Sequence, residues 1–135
     1  MTVLGLDPGT RKCGFAVVDS AGGRPPALGI APIEGLTQRL LEIVAATPPD
    51  VVALGRGTNA AAVAKAVRAL GLRGELGDET ETTLLARGRF FADHPPRGWR
   101  RLIPRGMLLP DRPIDDYAAL LIAERFLTSL TEGEE

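Results

Sequence analysis

The sequence predicts an α/β fold: a five-stranded mixed sheet, three strands in an antiparallel meander and two in parallel, with helices on both faces. Two observations carry this. Two apolar runs, Val3-Leu4-Gly5-Leu6 and Phe15-Ala16-Val17-Val18, flank the turn residues Asp7-Pro8-Gly9, which is a hairpin signal. Further along, short β-branched runs alternate with stretches whose apolar residues recur at helical spacing. A meander followed by such alternation gives parallel strands joined by helices. At 135 residues, 1–135 is expected to form one domain able to bury its own core.

The first strand runs to Asp7 and is apolar on both faces, so it belongs at the sheet centre. The second runs from about Arg11 to Asp19. Gly22-Gly23 and Pro25-Pro26 mark the turn to a third, Ala27-Leu28-Gly29-Ile30-Ala31, whose proline neighbours suit an edge. Leu36, Leu40, Ile43 and Val44 predict a helix from Leu36 to Ala46, ended by Pro48-Pro49. Val51-Val52-Ala53-Leu54 is the fourth strand. Thr58 or Asn59 can cap the next helix, which carries Val63, Val67 and Leu70 and stops at Gly71. Arg73 to Gly77 is the fifth strand, weakened by two glycines. A short helix is expected around Leu84-Leu85-Ala86, an irregular mobile loop from Phe91 to Pro113, and a last helix opening at Ile114-Asp115-Asp116-Tyr117. Thr131 to Glu135 is expected to fray.

Composition narrows the classes. No apolar run is long enough to span a membrane, and the N-terminus lacks the pattern of a signal peptide. Cys13 is the only cysteine, so no internal disulfide can form; this fits a reducing, cytoplasmic setting with Cys13 as a small buried side chain. The net charge of −1 decides nothing, but its distribution does. Arg87, Arg89, Arg97, Arg100, Arg101, Arg105 and Arg112 crowd one segment, opposed there by Asp93 and Asp111.

Acidic residues fall at three element boundaries: Asp7 after the first strand, Asp78-Glu79 after the fifth, and Asp115-Asp116 at the start of the last helix. In this topology the first and fifth strands point their carboxyl ends the same way, where α/β sheets bind ligands. Three carboxylates meeting there repel unless a cation neutralises them. Oxygen ligands suit Mg²⁺ or Mn²⁺, and two such ions can promote phosphodiester cleavage. Each acid also has a plainer role: Asp115 or Asp116 as a helix cap, Asp78 as a turn residue, Asp7 as turn chemistry before Pro-Gly. Only their joint placement points to a metal.

These residues resemble a known family. Asp7, Gly9, Thr10, Gly14, Ala16 and Asp19 resemble the opening signature of the RuvC-like YqgF family. Asp78-Glu79 with Thr82-Thr83 and Ala86 resembles its second signature, and Ile114-Asp115 with Ala118-Ala119 and Leu121-Ile122 its third. Asp7-Pro8-Gly9 is closer to the resolvase form, and Leu54-Gly55-Arg56-Gly57 departs from the family pattern. The resemblance implies a ribonuclease H-like fold and a divalent-metal-dependent nuclease, with Asp7, Glu79 and Asp115 as catalytic metal ligands. Asp78 and Asp116 are the substitutes one residue away. It further implies cleavage of structured RNA in 5′-end maturation of pre-16S ribosomal RNA, with Holliday-junction or branched-DNA resolution as the alternative. Resolution by paired cuts requires a homodimer, whereas RNA cleavage is open to a monomer.

Arginines interleaved with Phe90, Phe91, His94 and Trp99 suit a nucleic-acid grip, through phosphate contacts and base stacking. Arg97, Arg100, Arg101 and Arg105 are the candidates for phosphate; the plainer reading makes Phe90 and Phe91 core, Trp99 the cover of a helix end and His94 a surface residue. Two rival classes remain. An Asp-x-Gly-Thr hairpin also cradles phosphate in actin-like and sugar-kinase ATPases, but those need a second lobe. A non-catalytic nucleic-acid-binding domain predicts that Asp7→Asn changes nothing.

Overall fold

The computed structural model describes residues 1–77, 82–104, 109–110 and 112–133. Five strands form one sheet: β1 (Thr2–Pro8), β2 (Lys12–Asp19), β3 (Ala27–Pro32), β4 (Val51–Leu54) and β5 (Gly74–Leu76). Their order is β3-β2-β1-β4-β5, which puts β1 at the centre and β3 at an edge, as the apolar pattern predicts. β1 pairs antiparallel with β2 and parallel with β4, and β4 pairs parallel with β5. The carboxyl ends of β1, β4 and β5 therefore share one rim.

The two faces follow from strand parity. On one face Leu4, Leu6, Cys13, Phe15, Val17, Val52 and Leu54 pack under α1 (Leu36–Ala46) and α2 (Ala60–Ala69), which contribute Leu36, Leu40, Ile43, Val63 and Val67. On the other, Val3, Ala16, Val51 and Ala53 pack under α4 (Asp115–Gly133).

α4 lies unusually close to the sheet, and glycine permits it. A Cβ on Gly5 would fall 2.2 Å from the carbonyl oxygen of Ala119 and 2.9 Å from Ala123 Cβ. A Cβ on Gly14 would fall 1.9 Å from the carbonyl oxygen of Asp115. Asp115, Ala119 and Ala123 are four residues apart, one stripe of a helix. Small residues on both sides thus let the backbone of α4 rest on β1 and β2.

Three expectations change. The helix expected around Leu84–Ala86 is longer: α3 runs Thr82–Asp93. Ala86, Phe90 and Phe91 are buried against α4, and that burial outweighs the ~1 kcal/mol that Gly88 costs within a helix. Phe90 and Phe91 are therefore core. The segment expected to be irregular contains a 3₁₀ turn, Gly98–Leu102. α4 continues through Gly133 rather than fraying at Thr131, because Leu127 and Leu130 pack on the core around Val3, Val51 and Phe126. No described helix is long and apolar enough to cross a membrane.

Candidate active site

Asp7 stands in the ladder directly opposite Gly14. Gly14 is the residue on which the first turn of α4 rests, its missing Cβ leaving room for the Asp115 carbonyl. The cross-strand pair thus carries Asp7 on one strand and the start of α4 above the other. By parity Asp7 follows Val3 and Gly5 onto the α4 face. Both carboxylates act on one thiol. Burial first and then the charge of Asp7 push Cys13 up to about 12 from its ordinary 9.0; a hydrogen bond at the Asp7 backbone lowers it, and the charge of Asp115 adds the weakest push upward. Cys13 is fully buried and serves as core.

Asp7 is half-buried, and the Asp115 side chain is 35% exposed. Lys12 Nζ lies 3.6 Å from Asp115 Oδ2. Lys12 shares the α4 face with Gly14 and Ala16, so strand alternation places it at this rim although no motif marks it.

Asp116 has a different task. It is only 4% exposed. Its Oδ1 accepts the Tyr117 backbone N–H at 3.0 Å, and both its oxygens face the Arg112 guanidinium at 3.4 Å. Arg112 also sits over the rings of Phe90 and Tyr117, at 5.1 and 5.8 Å. Asp116 is thus engaged inside the α3–α4 packing, while Asp115 faces the rim. Tyr117 donates to Asp93 Oδ2 at 2.8 Å, tying the end of α3 to α4. Burial and this carboxylate push the phenol up to about 12.

Asp78 and Glu79 lie outside the described residues. Gly77, just before them, donates to the Leu54 carbonyl at 2.8 Å, and a Cβ there would meet Ile122 of α4 at 2.5 Å. β5 therefore ends beside α4. Among the described residues no group of three His, Cys, Asp or Glu can hold a metal ion. Asp7 and Asp115 are both hard oxygen donors on the α4 face, the donor type that a divalent cation takes.

The turn after Asp7 is braced from α2. Asn59 Nδ2 donates to the Gly9 carbonyl at 2.7 Å and the Thr10 carbonyl at 3.0 Å, so its side chain does not cap α2. Those two carbonyls offer the amide better partners than its own helix end. Asn59→Ala leaves both carbonyls without this donor. The expected loss is about 1–2 kcal/mol, read as a lower urea midpoint.

Most of the basic segment lies within the described residues. Arg97 precedes the 3₁₀ turn in extended conformation, and Arg100 and Arg101 occupy its last part. Arg100 donates to the Leu109 carbonyl, and Arg101 Nε to the Gly98 carbonyl at 3.3 Å. Arg105 lies outside the described residues. A cleft of about 470 Å³ is lined by Phe90, Phe91, Asp93, His94, Pro95, Arg97, Arg100 and Arg112. His94 stacks on Phe90 at 4.7 Å.

No protein-family model matches the chain. It is 39% identical over 66 residues to the crossover junction endodeoxyribonuclease RuvC of Bordetella avium, covering 40% of this chain and 36% of that protein. It is 33% identical over 109 residues to the protein of the same name from Chlorobaculum parvum, covering 72% and 56%. The chain thus spans between about a third and just over half the length of these relatives. Among solved structures it is similar to Thermus thermophilus RuvC in complex with Holliday junction substrate, with a TM-score of 0.63 and 21% identity over 98% of this chain and 96% of that one. It is also similar to the Fowlpox virus resolvase in complex with Holliday junction DNA, with a TM-score of 0.56 and 13% identity over 96% and 99%. Full-length structural overlap and local sequence identity agree: this chain has the RuvC-like nuclease fold, a ribonuclease H-like architecture.

Proposed function

We propose that this chain is a divalent-metal-dependent nuclease that cuts branched DNA, four-way junctions above all. One observation carries the reading: Asp7 stands across the ladder from Gly14, on which the first turn of α4 brings Asp115 to the same rim. Asp7, Asp115 and Glu79 are the proposed ligands of Mg²⁺ or Mn²⁺, as a two-ion site. The bound metal would activate water and stabilise the leaving oxygen of a phosphodiester. The protein's own part is to hold the carboxylates in place. The Gly14 cradle fixes Asp115, Asn59 braces the turn after Asp7, and Lys12 holds the Asp115 carboxylate at the rim. Residues 1–135 act as one nuclease domain in the cytoplasm. Paired cuts across a junction require two such sites, hence a homodimer.

DNA is favoured over RNA because the relatives are named endodeoxyribonucleases and two similar structures are complexes with Holliday junctions. Processing of pre-16S ribosomal RNA is the second reading. It rests on the likeness of Asp78-Glu79, Thr82-Thr83 and Ile114-Asp115 to the YqgF signatures. The deciding experiment is cleavage of a four-way junction, a linear duplex, single-stranded DNA and an RNA hairpin with Mg²⁺ or Mn²⁺. Junction cleavage supports the first reading; cleavage of the RNA alone replaces it with the second.

Arg97, Arg100, Arg101 and Arg105 are the proposed phosphate contacts. The double variant Arg97→Glu/Arg101→Glu should bind all these nucleic acids more weakly, with a salt dependence flatter by about one unit of slope per lost contact. Unchanged affinity at low salt removes these residues from the interface.

A further inference from the structure

The chain has six aromatic side chains of Phe, Tyr and Trp. Phe15, Phe90, Phe91, Tyr117 and Phe126 are all at most 8% exposed. Trp99 is 73% exposed. An indole left in water among five buried rings has a cost that core packing does not explain.

Its setting is a hydrogen-bonded turn. Trp99 sits inside the 3₁₀ turn Gly98–Leu102. Gly98 opens the turn with φ of 63°, in the left-handed region. Arg101 Nε closes back on the Gly98 carbonyl, and the Ile103 backbone N–H on the Arg100 carbonyl at 3.2 Å. Ile103 then packs against the cluster of Phe90, Phe91 and Tyr117, anchoring the turn to the α3–α4 core. The turn thus holds the indole out.

Its surroundings are cationic. Arg97, Arg100 and Arg101 flank Trp99 in sequence, and no acidic residue lies between Arg97 and Pro110. Arg97 and Arg100 also line the 470 Å³ cleft, together with Arg112 and Asp93. Phe90, at the floor of that cleft, already carries His94 on its ring and the Arg112 guanidinium over it. Phe90 is only 4% exposed, so among the Phe, Tyr and Trp rings Trp99 is the one that a base can reach; His94 is exposed too, but its ring is already stacked on Phe90.

We propose that Trp99 is a stacking platform for unpaired bases at a branch point, with Arg97 and Arg100 taking the adjoining phosphates. This deepens the nuclease reading and rests on it. A polyanion with exposed π-faces complements an indole flanked along the chain by arginines. A linear duplex keeps its internal bases continuously stacked, whereas a branch point interrupts the stack and exposes base faces within the molecule. Trp99 thereby selects branched over continuous DNA.

The test uses the fact that Trp99 is the chain's only tryptophan. The full chain carrying Asp7→Asn, to prevent cutting, is titrated with a four-way junction and with a linear duplex. Binding is followed by the anisotropy of labelled DNA, and stacking by tryptophan emission. Junction binding should quench the emission strongly and duplex binding much less. Adding Trp99→Ala should weaken junction binding about tenfold and duplex binding less than twofold, with Trp99→Phe restoring most of the loss. Emission unchanged while anisotropy reports junction binding overturns the proposal and leaves the nuclease reading standing. So does equal weakening for both DNAs. An emission shift that follows protein concentration without DNA assigns Trp99 to self-association and also overturns it. No binding to any DNA overturns both.

Discussion

Asp7→Asn should lower junction cleavage by about 10²- to 10³-fold while leaving fold and DNA binding intact. The change swaps one carboxylate oxygen for an amide of the same shape. In the nuclease reading the site stabilises the developing charge by several kcal/mol through its metal, and each 1.4 kcal/mol is tenfold in rate. Asp7 is half-buried at the end of the central strand, where Asn is close in volume, so the melting temperature should move little. Divalent-ion affinity, measured by calorimetry on the same variant, should fall with the rate. If the variant cleaves like the parent, the carboxylate is turn chemistry before Pro8-Gly9 and the catalytic assignment fails. If it loses cleavage and also melts early, the loss is structural.

Gly14→Ala should be strongly destabilising for a single added methyl. Its Cβ would lie 1.9 Å from the Asp115 carbonyl oxygen, 2.2 Å from the carbonyl carbon and 2.8 Å from the Asp116 nitrogen. All three are backbone atoms, so no side chain can swing away. The first turn of α4 must lift off β2 or the strand must bend. Overpacking of this kind costs about 3 kcal/mol, a fall of roughly 10 °C in melting temperature for a chain of this size. Lifting α4 also carries Asp115 away from Asp7, so cleavage measured well below the new melting temperature should still be reduced. Gly88→Ala is the control. Gly88 lies exposed within α3 with nothing within 4 Å of its Cβ position, so alanine there should stabilise by about 0.5–1 kcal/mol. A Gly14→Ala protein that melts with the parent would mean α4 tolerates displacement, and the cradle would no longer explain the site.

These two substitutions mark where local pattern suffices. β1 at the centre, β3 at the edge and the parallel β4 and β5 were all legible, because apolar runs broken by turn residues set strand number and direction. α1 was legible to its boundaries from Leu36, Leu40 and Ile43. α3 was not, since Arg87-Gly88-Arg89 interrupts its pattern and only contact with α4 shows why Phe90 and Phe91 stay helical. Asn59 looked like a cap from its position before an Ala-rich helix, yet its amide serves a turn fifty residues away. Lys12 and Arg112 carried no signal beyond their charge, because the partner that gives each its role arrives from another element.

The order of residues by itself determined the alternation of strands and helices, and with it the rim where strand ends gather. It also placed an acid at three element boundaries, since boundaries are written in local turn and cap chemistry. Only the tertiary structure decided which acid of the pair opening α4 faces that rim. Asp115 and Asp116 are neighbours in sequence and point to different surroundings. The glycines of β1 and β2 let α4 settle so that Asp116 turns into the Arg112–Tyr117 packing and Asp115 stays at the edge. Which side of a helix faces a sheet is set by contact between distant segments, and no local pattern encodes it.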